Sequence, residues 1–138
     1  MDFSKSSFIA FIQQAFKYGL VGVVNTIVSL GTIFIAMKVI HCSYILSNIM
    51  GYSVGIACSF FFNKRWTFKS TGNAQIEMLI FLGISGVCYL IQLAGLVFLK
   101  EALHVKAEIA QVLAIAFYTM PNFLGNKFIT FRNAARVS

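Results

Sequence analysis

A phrase of seven residues that could bind a phosphate occurs twice in the chain. Residues 63–69 read NKRWTFK and residues 126–132 read NKFITFR, at an offset of 63. Each copy follows a long apolar run and places a lysine beside an asparagine at the end of that run. An ammonium group supplies charge and an amide supplies a neutral donor, which together suit a phosphate oxygen. The alternative is that these cations only orient membrane segments.

Further cations and amides near the same boundaries extend this candidate site. An amide without a partner in hydrocarbon costs about 2–7 kcal/mol, so amides in apolar runs indicate either bonds between helices or a polar ligand. Both explanations stay open for Asn25, Asn48, Gln92, Gln111 and Asn122. The candidate ligand-binding residues are Lys17, Asn25, Asn63, Lys64, Arg65, Asn122, Asn126 and Lys127.

The elements that must position these residues are membrane helices. Hydrophobic residues make up 59% of the 138 and charged residues 11%, whereas soluble domains carry about 25% charged residues. Four apolar runs approach or exceed the roughly 20 residues that cross a bilayer, namely Tyr18–Met37, Tyr44–Phe62, Met78–Leu99 and Ile109–Gly125. Apolar residues at helical spacing from Phe8 to Phe16 predict an interfacial amphipathic helix before the first span. The sequence therefore predicts an all-α membrane protein with four transmembrane helices.

The offset of 63 predicts two parallel two-helix repeats, about 16–69 and about 80–132, within one transmembrane domain, 1–138. His41 and His104 recur at the same offset in the two other loops.

Positive charge predicts the orientation, because cytoplasmic loops are enriched in lysine and arginine. Eight cations fall on one side, at Lys5, Lys17, Lys64, Arg65, Lys69, Lys127, Arg132 and Arg136, against Lys38, Lys100 and Lys106 on the other. Both termini and the middle loop are thus expected in the cytoplasm.

Other chemistries find little support. The four acidic residues lie at or beyond the helix ends and make no obvious acid/base pair, nor the carboxylate within the membrane that a proton-coupled exporter needs. His41 and His104 lack the further ligands of a zinc site, and the three cysteines lack a C-x-x-C spacing. We therefore expect no enzyme activity, no cofactor and no metal. The net charge of +7 is divided among short loops, which argues against nucleic acid as a partner.

Three segments resemble the GtrA-like family. They are Phe16–Asn25, with F-K-Y-x-x-V-G before the asparagine, the long segment Asn48–Phe68, and the closing segment Asn122–Phe131. The resemblance covers about residues 11–132, and the middle segment is the most specific. Lys64 stands where many relatives carry arginine, with Arg65 next to it, so either cation could contact a ligand.

This resemblance implies a four-span protein of the bacterial inner membrane that moves an undecaprenyl-phosphate-linked sugar, often glucose, to the external leaflet. A separate membrane glycosyltransferase then adds the sugar to O-antigen, teichoic acid or a similar polymer. The alternative is a membrane scaffold or anchor for that glycosyltransferase, without transport. The small size of four helices favours a homodimer.

On the transport hypothesis the candidate residues divide by chemistry. The cations Lys17, Lys64, Arg65 and Lys127 would gather the phosphate on the cytoplasmic side. The amides Asn25, Asn63, Asn122 and Asn126 would meet the phosphate or the sugar hydroxyls. Pro121 is expected to interrupt the fourth span and to free a backbone carbonyl near Asn122.

Overall fold

The computed structural model describes residues 3–132, and this part of the chain is helical without a β-strand. Its α-helices are α1 (Phe3–Lys38), α2 (Tyr44–Phe62), α3 (Ala74–Val97) and α4 (Ala107–Gly125). A π-helical turn follows α2, α3 and α4, at Asn63–Thr67, Phe98–Ala102 and Asn126–Thr130. The all-α prediction is confirmed. The side chain of Gln111, as well as Arg136, lies outside the described part.

Among residues 3–132, two helical segments are long and apolar enough to cross a membrane, Lys5–Lys38 and Ala74–Ala102. The first lies within α1, which runs without a break for 36 residues. The predicted interfacial helix is therefore the N-terminal part of α1 and not a separate element. Helical backbone hydrogen bonds continue past Lys17, where we had expected the span to begin.

Two compact units divide the chain, unit 1 (Met1–Lys69) and unit 2 (Ser70–Ser138). In unit 1, α1 packs on the small-residue face of α2: a Cβ atom at Gly51 would come within 2.8 Å of the carbonyl oxygen of Ser29. In unit 2, a Cβ atom at Gly125 would come within 2.8 Å of Ile84. Small residues permit such close approach of two helices, so each unit is a tightly packed helix pair.

Capping side chains begin two of the helices. Ser43 Oγ accepts a hydrogen bond from the Leu46 N–H at 3.3 Å, and Asn73 Oδ1 accepts from the N–H groups of Gln75 and Ile76 at 3.0 and 3.2 Å. Glu77 is buried in the first turn of α3 and accepts a hydrogen bond from Ser70 Oγ. A carboxylate is favourable at this end of a helix, which accounts for the buried position of Glu77 in structural terms.

The recurring histidines terminate helices. His41 and His104 have φ angles of 60° and 50°. The next residue in each case donates its N–H six residues back, Cys42 to the Ala36 carbonyl at 2.9 Å and Val105 to the Leu99 carbonyl at 3.0 Å. A left-handed residue before such a bond is a helix cap, in which histidine is more common than most side chains. Backbone geometry therefore accounts for this recurrence.

Candidate functional site

Both copies of the repeated phrase begin with a π-helical turn. The Phe68 N–H donates to the Asn63 carbonyl at 2.9 Å, and the Phe131 N–H donates to the Asn126 carbonyl at 2.9 Å. Such i→i+5 bonds are rare and often occur at functional sites. The two copies thus share an unusual backbone as well as their residues.

The phenylalanine in each copy belongs to the core of its unit. Phe68 is buried against Tyr18 of α1, with ring centroids 6.1 Å apart. Phe131 is buried against Phe81 of α3, with ring centroids 6.4 Å apart. Tilted aromatic pairs at this separation are favourable, and each one fixes a π-helical turn to the first helix of its unit.

In unit 2, Asn122, Asn126 and Thr130 lie on one helix face and form a chain of side-chain hydrogen bonds, which we call the polar ladder. Asn126 Nδ2 donates to Asn122 Oδ1 at 2.8 Å, and Thr130 Oγ1 donates to Asn126 Oδ1 at 2.8 Å. Asn126 is 0% exposed. Both ends of its amide are therefore used inside the unit, as buried polar groups require. This arrangement favours a structural role for Asn122 and Asn126.

The corresponding polar ladder of unit 1, at Ser59, Asn63 and Thr67, is open, because only its first hydrogen bond is formed. Asn63 Nδ2 donates to Ser59 Oγ at 3.3 Å. Asn63 Oδ1 and Thr67 Oγ1 are buried without a hydrogen-bond partner, although the two residues are only 1% and 3% exposed. Buried groups of this kind usually find partners, so the polar side of unit 1 is less complete than that of unit 2.

Unit 1 also holds an amphipathic groove of about 400 Å³ between α1 and the end of α2. Ligand clefts typically measure roughly 300–1,000 Å³. The lining residues are Val21, Val24, Phe61, Phe62, Arg65 and Trp66. Most of them are apolar, and one carries a guanidinium group. The groove therefore suits a ligand that is hydrocarbon over most of its length and anionic at one end.

Aromatic rings hold two predicted cations at this groove. The Arg65 guanidinium carbon lies 5.3 Å from the centroid of the Phe61 ring, and Lys17 Nζ lies 5.4 Å from the centroid of the Trp66 ring. Cations within about 6 Å of a ring face are attracted to it. Residues 3–69 contain six lysines and arginines and no aspartate or glutamate. Unit 1 thus presents a positive surface where the groove ends.

Asn25 occupies the contact between α1 and α2. A Cβ atom at Gly55 would come within 2.6 Å of Asn25 Oδ1, which is buried without a hydrogen-bond partner. Asn25 follows Val24 of the groove directly in the sequence. The amide is therefore held between the helices of unit 1 with an unused acceptor.

The residues that line the groove of unit 1 are not repeated at the corresponding positions of unit 2. At the offset of 63, the positions equivalent to Phe61, Phe62, Arg65 and Trp66 hold Leu124, Gly125, Phe128 and Ile129. Lys127 Nζ lies 5.9 Å from the centroid of the Phe128 ring, and partial burial lowers the pKa of Lys127, which follows α4. Lys127 is thus set among apolar atoms and lacks the neighbouring arginine and tryptophan that unit 1 provides.

Pro121 does not break α4, contrary to the sequence-based expectation. The helix continues to Gly125 with Pro121 inside it. Because proline has no N–H, Pro121 cannot donate to the carbonyl of Phe117, four residues earlier. The carbonyl that lacks this partner points along the helix toward Pro121, the residue before Asn122.

The structure groups the predicted residues within each unit. In unit 1 it places Lys17 and Arg65 at the groove, buries Asn63 and buries the side-chain oxygen of Asn25. In unit 2 it bonds Asn122 to Asn126. Sequence reasoning missed the groove walls at Val21, Val24, Phe61 and Phe62, and it did not include Trp66 among the candidate residues. The available signal was the difference between the two copies, since Arg65 and Trp66 are not repeated.

Comparison with known proteins places these features in a family. The chain is 32% identical over 118 residues to the bactoprenol-linked glucose translocase of Shigella phage SfV, covering 86% of this chain and 94% of that protein. It is 27% identical over 130 residues to the membrane protein YngA of Bacillus subtilis, covering 91% and 84%. It is 22% identical over 125 residues to the cell wall teichoic acid glycosylation protein GtcA of Listeria monocytogenes, covering 88% and 86%.

The family match includes most of both units. Residues 17–131 match the GtrA/DPMS transmembrane domain, from the lysine at the groove to the buried phenylalanine of the second phrase. The predicted resemblance is confirmed, and with it the assignment as a membrane protein: the chain belongs to the GtrA/DPMS transmembrane domain family.

Proposed function

We propose that this protein translocates a polyprenyl-phosphate-linked sugar across the bacterial inner membrane for the modification of a cell-surface polysaccharide. The relative from phage SfV is named a bactoprenol-linked glucose translocase and is 32% identical over most of both chains. Bactoprenol is a polyprenol, so its phosphate-linked sugar combines a long hydrocarbon, an anion and a polar head. The protein acts in this proposal as a carrier, with no bond made or broken.

The observation that carries the proposal is the groove of unit 1 with Arg65 at its end and Lys17 beside it. Arginine binds phosphate oxygens through two parallel N–H bonds, and lysine adds a point charge. Residues 3–69 offer these cations no carboxylate of their own. A lipid-linked phosphate supplies the missing negative charge at the depth where a membrane helix ends.

The candidate residues take different roles in this proposal. Lys17, Lys64 and Arg65 gather the phosphate on the cytoplasmic side, and Lys127 provides a second cationic position in unit 2. Asn25 offers its unused oxygen to a sugar hydroxyl as the head passes between the helices. Asn63, Asn122 and Asn126 are buried, so their role is to hold the turns that carry Lys64, Arg65 and Lys127.

The proposed architecture has four spans with both termini in the cytoplasm. Residues about 16–69 and about 80–132 form parallel repeats related by rotation about an axis near the membrane normal. Support comes from the offset of 63, at which both units repeat the π-helical turn, the buried aromatic pair and the left-handed histidine. α2 and α4 have 19 residues each, close to the roughly 20 that a span requires.

A scaffold for a membrane glycosyltransferase is the second candidate function. The relative from Listeria monocytogenes is named for teichoic acid glycosylation, and that name specifies no transport. A glycosyltransferase partner fits both candidates, since the transported sugar must be attached by an enzyme. A homodimer would enlarge the small polar interior of one four-helix chain.

Transport in liposomes separates the two candidates. Purified protein is reconstituted with polyprenyl-phosphate glucose on both leaflets, and periodate, which stays outside, oxidises the sugar diols that it can reach. Translocation predicts that oxidation proceeds beyond the outer-leaflet share at a rate that depends on the protein. Oxidation that stops at that share, as in protein-free liposomes, would reject transport and leave the scaffold.

A further inference from the structure

We infer that the groove of unit 1 binds the isoprenoid segment next to the phosphate, so that the protein recognises the carrier lipid independently of its sugar. The inference deepens the proposed function and rests on it, because the occupant is the lipid part of the proposed substrate. It predicts that sugar-free polyprenyl phosphate is a ligand of the same groove.

The chemistry of the wall carries this inference. The six lining residues are two valines, two phenylalanines, an arginine and a tryptophan. Only Arg65 and Trp66 carry hydrogen-bond donors, so the wall formed by the two valines and two phenylalanines has no means to read the hydroxyl pattern of a hexose. Sites built for sugars use hydrogen-bonding groups to discriminate. Phe61 and Phe62 are 54% and 40% exposed and Val24 is 43% exposed, which leaves their surfaces available to a branched hydrocarbon.

The charges fix the direction of the occupant. Arg65 belongs to the groove itself, and the Lys17 ammonium lies over the face of the Trp66 ring. The phosphate must therefore sit at the end where Arg65 and Trp66 lie, with the first isoprene units running along Val21 and Val24. This direction places hydrocarbon on the apolar wall and the anion among cations, which satisfies both without burying an unpaired charge.

Divergence between the two copies supports the same assignment. The residues common to both copies, such as Asn63 and Phe68, are buried inside unit 1. The groove residues Phe62, Arg65 and Trp66 are replaced at the corresponding positions by Gly125, Phe128 and Ile129. The buried common residues fold each unit, whereas Phe62, Arg65 and Trp66 occur in one copy only.

Trp66 is the only tryptophan in the chain, so its fluorescence reports on the groove directly. The full-length protein in detergent micelles is titrated with undecaprenyl phosphate, with undecaprenyl-phosphate glucose and with phosphatidylglycerol. The inference predicts a saturable change in emission with both polyprenyl phosphates at affinities within about tenfold of each other. Phosphatidylglycerol, whose chains are unbranched, should leave the emission unchanged at the same concentrations.

Three variants test the position of the lipid. Phe61→Ala and Phe62→Ala remove apolar wall and should weaken both polyprenyl phosphates roughly ten- to a hundredfold. Val24→Phe fills the groove and should also weaken the binding of both polyprenyl phosphates, because the larger side chain occupies the space of the lipid. Phe98→Ala is the matched control, because Phe98 is also exposed, at 58%, and lies in the π-helical turn that follows α3. Circular dichroism and size exclusion verify that each variant is folded.

The outcomes decide between this inference and its alternatives. Binding only of the glucose-linked lipid would overturn it, as would equal binding of phosphatidylglycerol, which would make the groove a general anionic-lipid surface. Unchanged affinity in Phe61→Ala, Phe62→Ala and Val24→Phe would also overturn it. If liposome transport fails while both polyprenyl phosphates still bind the groove, the proposed function is wrong and the inference about the lipid stands.

Discussion

The side-chain oxygen of Asn25 lies so close to Gly55 that a Cβ atom at position 55 would come within 2.6 Å of it. The same atom would also collide with the hydroxyl of Ser29. An alanine at position 55 would therefore have to displace these two side chains or separate α1 from α2.

Gly55→Ala should destabilise the protein, because α1 and α2 must move apart or both side chains must rotate. Overpacking of this kind costs about 1–3 kcal/mol. Thermal unfolding in detergent, followed by circular dichroism, measures the loss. Gly31→Ala is the control, since nothing lies within 4 Å of a Cβ atom at Gly31. Equal melting temperatures for the two variants would contradict the close packing.

Asn126→Ala should lower the stability more than Asn63→Ala does. The first change leaves Asn122 Oδ1 and Thr130 Oγ1 without the bonds of 2.8 Å that Asn126 makes, and each unsatisfied buried group costs about 1–3 kcal/mol. The second removes one longer bond, to Ser59, and takes away an oxygen that has no partner. Melting temperatures of the two purified variants measure the difference. The reverse order would mean that the open ladder of unit 1 is the more important one.

Loss of Arg65 should reduce transport more than loss of Lys127, because only Arg65 lines the groove. A charge-assisted hydrogen bond is worth about 1.5–3 kcal/mol, so Arg65→Ala should weaken function roughly ten- to a hundredfold. Lys64→Ala and Lys127→Ala should also reduce it. Arg65→Lys keeps the charge and loses the bidentate geometry, so it should recover part of the activity.

Periodate oxidation in liposomes is the measurement for these variants, with Lys5→Ala and Arg136→Ala as controls outside the repeated phrase. Similar losses of transport in all five alanine variants would mean that these cations only orient the protein in the membrane. Full activity in Lys64→Ala, Arg65→Ala and Lys127→Ala, together with loss in Asn25→Ala, would move the phosphate deeper between the helices.

The proposed topology places residues 64–77 in the cytoplasm and His41 and His104 outside. Cysteine labelling tests it after Cys42, Cys58 and Cys88 are replaced. A single cysteine at position 41 or 104 should react with an impermeant maleimide in intact spheroplasts, and one at position 70 should react only after lysis. Labelling of position 70 from outside would reverse the orientation.

The repetition in the sequence predicted the folding of each unit better than it predicted the site. The residues that recur, Asn63 with Asn126 and Phe68 with Phe131, are buried and make internal contacts. Of these four, only Asn63 and Asn126 are candidate ligands, a choice that rests on their recurrence beside a lysine. Recurrence in two copies indicates a common structural need, whereas a single ligand needs only one groove. Arg65, which does not recur, is the candidate residue that lines the groove.

The π-helical turns could not be predicted from residue types. Whether the Phe68 N–H bonds five or four residues back is decided by small differences in backbone energy, which tertiary packing overrides. In unit 1 that packing is the contact of Phe68 with Tyr18, a residue 50 positions earlier in the chain. The turn brings Arg65 and Trp66 to the groove, so their position depended on a contact that no local pattern contains.

The continuity of α1 sets a length scale for the protein. A helix of 36 residues is roughly 54 Å long, whereas the hydrocarbon core of a bilayer is about 30 Å thick. The part from Lys17 to Lys38 alone measures roughly 32 Å, so these two ammonium groups match the two faces of the hydrocarbon. The residues before Lys17 continue the same helix for about four more turns. They cannot lie flat on the membrane surface without a break in the backbone hydrogen bonds. In an upright α1 this extension places Phe16 at the headgroups and carries Phe8 about 14 Å beyond Lys17 along the helix axis, past a headgroup layer that adds about 5–8 Å to each face of the hydrocarbon.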